Sequence, residues 1–373
     1  MKIGFDAKRA VQNNTGLGNY SRRLVEILSE YYPDDQYYLF APEKKDNPRL
    51  QTLQSRKNTS FIYPTGLYRP FSSFWRISGI KSDLKRVSPD IFHGLSGELP
   101  VGISKTGVKS VVTIHDLIFL RYPEYYKPID RMIYARKFRY ACENAGRIIA
   151  ISECTKRDIV SFFNIPEDKI TVVYQGCHPD FREKATDHKK REVMERYKLP
   201  SKYIFYVGSI ESRKNLLLAV KALRDLDPEI HLVAIGKRTP YQDKIEQYVN
   251  QTGLSGRVHI LNKVFFEDLP ACYQLASVFV FPSFFEGFGI PILEALSSCV
   301  PVIAATGSCL EEAGGPGSVY VDPVDDRELA GQIRRILSNV DIARKMSEDG
   351  RIYAQRFEDK LIASGVMKIY EQL

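Results

Sequence analysis

The chain has 373 residues, of which 44% are hydrophobic and 26% charged, and its formal net charge at pH 7 is +8. This length suits two domains of about 150–200 residues, and the composition excludes a disordered or low-complexity protein. Six cysteines without Cys-x-x-Cys spacing favour a cytoplasmic protein with reduced thiols over a disulfide framework or a zinc site, and the sequence holds no apolar run of about 18 residues to span a membrane.

Apolar runs typical of buried strands alternate with helical patterns in the first half of the chain. The predicted strands cover residues 2–5, 37–40, 60–63, 91–93, 110–114, 147–150 and 171–173, and the clearest helices cover 19–32, 131–143 and 154–163. This alternation indicates βα units around a parallel sheet. Most of the excess positive charge also lies in residues 1–190, which favours an anionic surface or substrate for this half. The basic residues do not form a recognised nucleic-acid module, so no nucleic-acid partner is expected.

A glycine-containing turn follows the first strand. Gly16 and Gly18 open the helix after Phe5-Asp6-Ala7 ends the strand. The third glycine of a dinucleotide-binding fingerprint is missing, and the loop is long for that motif. We interpret this turn as a flexible loop that closes over a ligand, and an ordinary turn is the alternative.

Two further features of the first half have both a functional and a structural interpretation. His115 and Asp116 emerge at the carboxyl end of strand 110–114, where ligands bind in parallel sheets; His93 ends a neighbouring strand and is a second candidate. Asp116 could accept from a ligand hydroxyl or orient its own loop. Residues 68–86 interleave aromatic and basic side chains, a pattern typical of a peripheral membrane contact and equally of an amphipathic core helix.

A second set of strand and helix patterns fills the rest of the chain. Its predicted strands cover 203–207, 231–235, 258–260, 278–281, 302–304 and 318–321. A charged stretch without strand pattern separates the two sets. We therefore predict an N-terminal domain at 1–185, a C-terminal domain at 186–356, and a terminal helix at 357–373.

A cation pair lies at a strand-to-helix turn of the second domain. Arg213 and Lys214 follow strand 203–207 in the sequence Gly-Ser-Ile-Glu-Ser-Arg-Lys-Asn. Adjacent cations in this position suit a diphosphate that gains negative charge as a bond to it breaks, although such pairs also occur in solvated turns. Lys263 and Val264 follow another strand and could contact a nucleotide base through their backbone.

The most informative segment places two carboxylates eight residues apart across a helix start. Strand 278–281 leads through a glycine turn into a helix, and we predict Ile290 as its cap. Backbone amides around Phe288, Gly289 and Ile290 would then favour an anion such as a pyrophosphate. Because carboxylates repel phosphates, Glu286 and Glu294 are expected to accept from neutral hydroxyls, Glu286 from a sugar and Glu294 from a ribose. This is the chemistry of a nucleotide-sugar site.

These motifs resemble those of a known enzyme family. The Glu-x7-Glu string at 286–294 and the Arg-Lys pair at 213–214 are similar to the signatures of family 4 retaining glycosyltransferases of GT-B architecture, and the resemblance covers essentially the whole chain. It implies an α/β fold of two doubly wound, Rossmann-like domains that face each other across a cleft. The N-terminal domain would lie on the acceptor side, the C-terminal domain would bind the nucleotide sugar, and the terminal helix would cross back to the first domain.

The resemblance also implies an activity. It implies transfer of a hexose from a nucleotide diphosphate sugar, with GDP-mannose as the first candidate for the donor. The acceptor would be a saccharide or a lipid-linked saccharide, and the anomeric configuration would be retained. Such transfers occur in the synthesis of lipopolysaccharide and other surface polysaccharides. It further implies that neither a metal nor a cofactor is needed, and that the glycine loop covers sugar and diphosphate while His115 contacts the sugar. Some members carry an additional arginine where Ser209 stands here. In this chain Arg213 must therefore make the contact of that arginine, or the contact is missing.

Other enzyme classes stay open at this point. A GT-B epimerase or phosphorylase would share the fold, and a phosphorylase would need a pyridoxal lysine. A Rossmann oxidoreductase is disfavoured by the incomplete glycine fingerprint and by the Glu-x7-Glu string. The base, the sugar, the acceptor and the linkage do not follow from the sequence.

Overall fold

The computed structural model describes residues 1–373, apart from the side chain at position 67. It divides into two compact units, one comprising Met1–Gln175 with Asp359–Leu373 and the other Gly176–Glu358. The boundary predicted from the sequence, after residue 185, lies between a short 3-10 turn and the first long helix of the second unit. No helix among the described residues is both long and apolar enough to cross a membrane.

The first unit is built on a seven-stranded parallel sheet with strand order β3-β2-β1-β4-β5-β6-β7. Its strands are β1 (Lys2–Asp6), β2 (Gln36–Phe40), β3 (Thr59–Ile62), β4 (Ile91–Gly94), β5 (Lys109–Ile114), β6 (Arg147–Ala150) and β7 (Ile170–Val172). Its helices before the second unit are α1 (Lys8–Gln12), α2 (Gly16–Tyr31), α3 (Gln51–Ser55), α4 (Ser72–Phe74), α5 (Ile80–Val87), α6 (Ile118–Arg121), α7 (Pro128–Asn144) and α8 (Glu153–Phe163).

Helices cover both faces of this sheet, which is why its strands read as continuous apolar runs. Successive residues of β5 show the arrangement, because Val111 packs into the core that contains α2 and Val112 into the opposite core around Trp75. The strand order reverses between β1 and β4, so the loops after these two strands diverge at a topological switch point.

The second unit is built on a six-stranded parallel sheet with strand order β10-β9-β8-β11-β12-β13. Its strands are β8 (Tyr203–Val207), β9 (His231–Ile235), β10 (Val258–Leu261), β11 (Val278–Phe281), β12 (Val302–Ala305) and β13 (Val319–Val321). Its helices are α9 (Asp187–Tyr197), α10 (Leu216–Ala222), α11 (Tyr241–Gln251), α12 (Leu269–Leu275), α13 (Ile290–Ser297), α14 (Leu310–Gly314), α15 (Asp326–Leu337) and α16 (Val340–Ala354).

The switch point of the second sheet lies between β8 and β11. Ile204 is opposite Val278 and Phe205 opposite Phe279, so the two strands end at the same level. The chain leaves β8 toward the Arg-Lys pair and leaves β11 toward the first glutamate of the Glu-x7-Glu string. Strand register alone therefore brings the two sequence motifs to one edge of the sheet.

The chain ends in helix α17 (Asp359–Glu371), which packs on α2 of the first unit. Its buried face carries Ile362, Val366 and Ile369. At its start, the Asp359 carboxylate accepts a hydrogen bond from the Arg23 guanidinium of α2. The helix thus completes the core of the first unit, although it follows the second unit in sequence.

Candidate active site

The loop after β8 is held against the end of β11 by Asn215. This residue adopts left-handed backbone geometry (φ 56°), which asparagine tolerates better than most residues. Its Nδ2 donates to Pro282 O at 3.0 Å and to Pro323 O at 2.7 Å. The stem of Lys214 crosses Gly208, where an added Cβ would lie only 3.1 Å from Lys214 Cδ. These contacts fix the loop that carries both cations.

The two cations meet the first carboxylate of the Glu-x7-Glu string. Lys214 Nζ lies 2.9 Å and an Arg213 guanidinium nitrogen 3.0 Å from the same oxygen, Glu286 Oε1. Ser283 Oγ donates to that oxygen at 2.7 Å. The side chains of the three charged residues are only 14–16% exposed. We call these residues, Arg213, Lys214, Ser283 and Glu286, the cation–carboxylate cluster.

The cluster keeps Glu286 ionised. Burial by itself would raise the pKa of this carboxyl group, but the charges of Lys214 and Arg213 and the hydrogen bonds from Lys214 and Ser283 outweigh burial and lower the pKa to about 2. Glu286 is therefore a pure hydrogen-bond acceptor at any working pH.

The turn between the two glutamates differs by one residue from the sequence prediction. The N-cap of α13 is Gly289, and Ile290 is its first helical residue, so the predicted cap at Ile290 was wrong. The reason is the φ of 141° at Gly289, which turns the chain into the helix one residue earlier. The side chain of Phe288 is buried, and its carbonyl accepts from Cys309 Sγ at 2.9 Å.

Glu294 lies one turn into α13 and does not join the cluster. Its Oε2 accepts a hydrogen bond from the hydroxyl of Tyr273 on α12 at 2.8 Å. Burial raises the pKa of Glu294 to about 7, and the Tyr273 hydrogen bond limits that rise. The two glutamates of the motif thus have opposite electrostatic environments, one beside two cations and one beside a neutral hydroxyl.

The remaining candidates of the second unit lie on neighbouring loops of the same sheet edge. Ser209 is partly buried, and its carbonyl accepts from Glu211 N at 2.9 Å. Lys263 is exposed and Val264 partly buried in the loop after β10. That loop is tied to the end of β9, because Asn262 Nδ2 donates to Gly236 O at 2.8 Å. Among the described residues, no hydrogen bond or ion pair joins Lys263 or Val264 to the cluster.

The glycines of the first unit have different environments. Gly16 is exposed with open space around it, whereas Gly18 is buried and an added Cβ would lie 1.8 Å from Asn13 O. The preceding turn is fastened by Arg22, whose buried guanidinium donates to Ala10 O at 2.7 Å and to Asn13 O at 2.8 Å. Gly18 is therefore needed for close packing of the helix start on this turn.

His115 lies at the carboxyl end of β5, as expected, and both of its ring nitrogens are hydrogen bonded. Nε2 lies 2.9 Å from Leu95 O and Nδ1 lies 3.0 Å from the Gln175 side-chain amide. Burial lowers the pKa of His115 to about 4, so the ring is neutral at neutral pH. Asp116 Oδ1 accepts from Ile118 N at 3.1 Å at the start of α6.

His93 belongs to a buried hydrogen-bond chain. Its Nδ1 lies 2.6 Å from the Tyr370 hydroxyl and its Nε2 lies 2.8 Å from Thr113 Oγ1. Thr113 in turn lies 3.1 Å from the hydroxyl of Tyr20, whose ring meets His115 edge-on at 4.5 Å. The chain connects α17 to the helix that follows the glycine turn.

Three residues in these arrangements escaped the sequence analysis. Ser283 lies three residues before Glu286 in the loop after a strand, and this short spacing could have indicated that it contacts Glu286. Asn215 was part of the quoted motif but was assigned no role. Tyr273 gave no signal, because its contact with Glu294 depends on how α12 packs beside α13.

Comparison with known proteins gives matches over both units. The family model described as Glycosyltransferase Family 4 matches residues 15–181, and the model described as Glycosyl transferases group 1 matches residues 189–353. The chain is 28% identical to O-antigen chain mannosyltransferase B of Escherichia coli over the full length of both proteins. It is 27% identical to the serotype-specific mannosyltransferase WbdA of Escherichia coli over 94% of this chain and 44% of that protein.

Solved structures share the fold over the whole chain. HepE of Anabaena, crystallised with UDP and glucose, matches with a TM-score of 0.77 and 16% identity over 100% of both chains. A glycosyltransferase from Rickettsia africae matches with a TM-score of 0.78 and 20% identity over 100% of this chain and 98% of that one. Together with the two family models, this likeness confirms the fold class predicted from the sequence. The chain belongs to the family 4 glycosyltransferases and has their GT-B architecture.

Proposed function

We propose that this glycosyltransferase transfers mannose from GDP-mannose to a saccharide acceptor with retention of the anomeric configuration. The observation that carries the proposal is the cation–carboxylate cluster at the switch point of the second unit, with Glu294 one turn into the helix that follows it. The choice of mannose rests on the names of the two Escherichia coli relatives. A uridine donor is the alternative, because HepE was crystallised with UDP.

The cluster suits a nucleotide diphosphate donor. Lys214 and Arg213 bind the diphosphate, with backbone groups at Phe288, Gly289 and Ile290 beside it, and Glu294 accepts from the ribose. Glu286 accepts from hydroxyls of the sugar. The assignments of Ser209 to the phosphates, Lys263 and Val264 to the base, Gly16 and Gly18 to the covering loop, and His115 and Asp116 to sugar and acceptor stay predictions.

In the proposed reaction the bond between the anomeric carbon and the β-phosphate oxygen breaks, and its electron pair stays on that oxygen. The acceptor hydroxyl oxygen bonds to the anomeric carbon on the same face, and its proton passes to the leaving phosphate. Arg213 and Lys214 stabilise the charge that develops on the diphosphate. This arrangement supplies positive charge without a metal ion.

A transfer assay tests this function. The protein is incubated with GDP-mannose, UDP-glucose or UDP-galactose and a mixture of mannose-containing oligosaccharides, and products are detected by mass spectrometry. We expect hexose transfer from GDP-mannose at an unchanged rate in excess EDTA, and an α-linked product by proton NMR. Loss of transfer in EDTA with recovery on adding magnesium or manganese would contradict the metal-independent proposal, and a β-linked product would contradict retention.

We further propose that the first unit contacts an anionic membrane surface, where a lipid-linked acceptor would be found. The 68–86 segment has features of both a core helix and a surface for membrane contact. Trp75 is buried in the core, whereas Phe71, Phe74 and Ile77 are 65%, 58% and 44% exposed. Further exposed apolar residues lie on the first half of α7, namely Ile129, Met132 and Ile133.

One loop connects these two apolar stretches. Val101 N donates to Ile77 O at 2.7 Å, and the Glu98 carboxylate pairs with Arg76 at 2.8 Å and with Lys137 of α7 at 3.4 Å. Exposed basic side chains flank the patch, Arg69, Lys127 and Arg136. An apolar patch with a basic rim complements anionic lipid headgroups.

Co-sedimentation with vesicles tests the membrane contact. We expect binding to vesicles that contain phosphatidylglycerol, weaker binding to pure phosphatidylcholine, and loss of binding in the double variant Phe71→Ser with Phe74→Ser. Val340→Ser in the second unit removes an apolar side chain that is even more exposed, at 79%, and should have no effect. Equal binding by the double variant and the wild type would refute the assignment of this patch.

A further inference from the structure

The hydroxyl of Tyr273 is fixed in space by its surroundings. The ring is buried, and it meets Phe205 at 4.9 Å, Phe279 at 5.2 Å and Phe181 at 5.5 Å between ring centroids. From this aromatic cage the hydroxyl reaches across from α12 to Glu294 Oε2 on α13 at 2.8 Å. Burial raises the pKa of Tyr273 well above its usual range, so the hydroxyl stays protonated and can donate.

We infer that Tyr273 is a positioning residue for the donor nucleotide, which holds one oxygen of Glu294 so that the other accepts from the ribose hydroxyls. The inference rests on the proposed role of Glu294 in nucleotide binding. Among the described residues, Tyr273 is the one side chain that hydrogen bonds to this carboxylate, and Glu294 itself is only partly buried. A carboxylate anchored through one oxygen loses less rotational freedom when a diol binds to the other.

Tyr273 also favours the form of Glu294 that can accept two hydroxyl donors. Burial favours the neutral acid, and the hydrogen bond from the Tyr273 hydroxyl favours the carboxylate instead. Without this bond Glu294 would stay protonated up to a higher pH, and its own proton would occupy an acceptor position. Tyr273 therefore acts on both the orientation and the charge of Glu294.

Other titratable groups near α13 come from each element that packs on it. The thiol of Cys177, in the segment before the 3-10 turn 179–182, lies 3.3 Å from Ser297 Oγ. The same elements also carry Asp180 and Arg182 of that turn, Cys272 of α12, Glu311 and Glu312 of α14, and Asp341, Arg344, Lys345, Glu348, Asp349 and Arg351 of α16. Burial and the Tyr273 hydrogen bond together set the pKa of Glu294.

Calorimetric titration with GDP and UDP between pH 6 and pH 9 tests the inference on the full chain. Wild-type affinity should fall as the pH drops below about 7, because protonated Glu294 no longer accepts from both ribose hydroxyls. Tyr273→Phe should weaken binding about tenfold at pH 7.5 and should move the pH midpoint upward. Glu294→Gln should leave only the pH dependence of the terminal phosphate of the nucleotide, whose second pKa is about 6, and Tyr273→Phe added to it should cause no further loss.

Tyr203→Phe is the matched control. Tyr203 is also buried in the second unit, but its hydroxyl donates to Cys272 O at 2.6 Å and not to Glu294. Its replacement should therefore leave both the affinity and the pH midpoint unchanged. An unchanged midpoint in Tyr273→Phe, or an equal loss in the Glu294→Gln background, would overturn the inference. A second comparison replaces Tyr273→Phe if that variant does not fold. The inference would then be overturned if the wild type and Glu294→Gln show the same dependence of nucleotide affinity on pH. Absence of nucleoside diphosphate binding by the wild type would instead overturn the proposed function on which it rests.

Discussion

Replacing Lys214 with alanine is expected to lower the turnover number at least a hundredfold, whereas affinity for the free nucleoside should change little. The ammonium group is held 2.9 Å from Glu286 and 5.4 Å above the Phe281 ring, in a partly buried position where charge is weakly screened. It therefore acts most strongly when the leaving diphosphate gains charge, and loss of one such preorganised group typically lowers the rate by a factor of about 10²–10³.

Steady-state kinetics with a saturating donor measure this effect. Lys244→Ala on α11 is a suitable control, because that lysine is exposed and lies away from the cluster in sequence. Circular dichroism should show that both variants keep the fold. If Lys214→Ala retains more than half of wild-type turnover, Lys214 does not stabilise the leaving group.

The second large effect is expected for Glu286→Gln, which should bind free nucleoside diphosphate about tenfold more tightly and yet transfer sugar at least a hundredfold more slowly. A carboxylate that touched only the sugar would leave affinity for the free diphosphate unchanged. In the structure, however, Glu286 pairs with both Arg213 and Lys214. The diphosphate and Glu286 compete for the same cations, and the neutral amide removes the competitor.

Calorimetry with the nucleoside diphosphate and with the intact donor separates the two glutamates. Glu294→Gln should weaken both ligands, whereas Glu286→Gln should strengthen the first and impair use of the second. The gain in Glu286→Gln should be nearly constant from pH 6 to pH 9, because the pKa of Glu286 is about 2. If Glu286→Gln weakens the free diphosphate as much as Glu294→Gln does, the proposed division of roles is wrong.

Local sequence patterns were sufficient to predict the fold class. The alternating apolar runs predicted two parallel sheets, and the order of strands then placed the Arg-Lys pair and the Glu-x7-Glu string at one switch point. The comparisons confirm the enzyme class that these motifs indicated. Short motifs carry this information because they lie at strand ends, where the backbone determines their position.

Contacts between distant segments could not be predicted in the same way. Lys214 and Glu286 are 72 residues apart, and nothing in either motif shows that their side chains pair. The bond from Tyr273 to Glu294 depends on the packing of two helices. The cap of α13 was misplaced by one residue because the backbone angle of Gly289 cannot be read from its identity alone.

A crystal structure with a bound nucleotide would show whether the second unit binds the donor through the cation–carboxylate cluster and Glu294. The crystal would contain GDP or UDP, whichever stabilises the protein more against thermal unfolding. We expect the β-phosphate oxygens within hydrogen-bonding distance of Lys214 Nζ and the Arg213 guanidinium, and the ribose hydroxyls on Glu294. This binding mode would be contradicted by a nucleotide bound elsewhere. In that structure Lys214 and Arg213 would still pair with Glu286, and no ribose would contact Glu294.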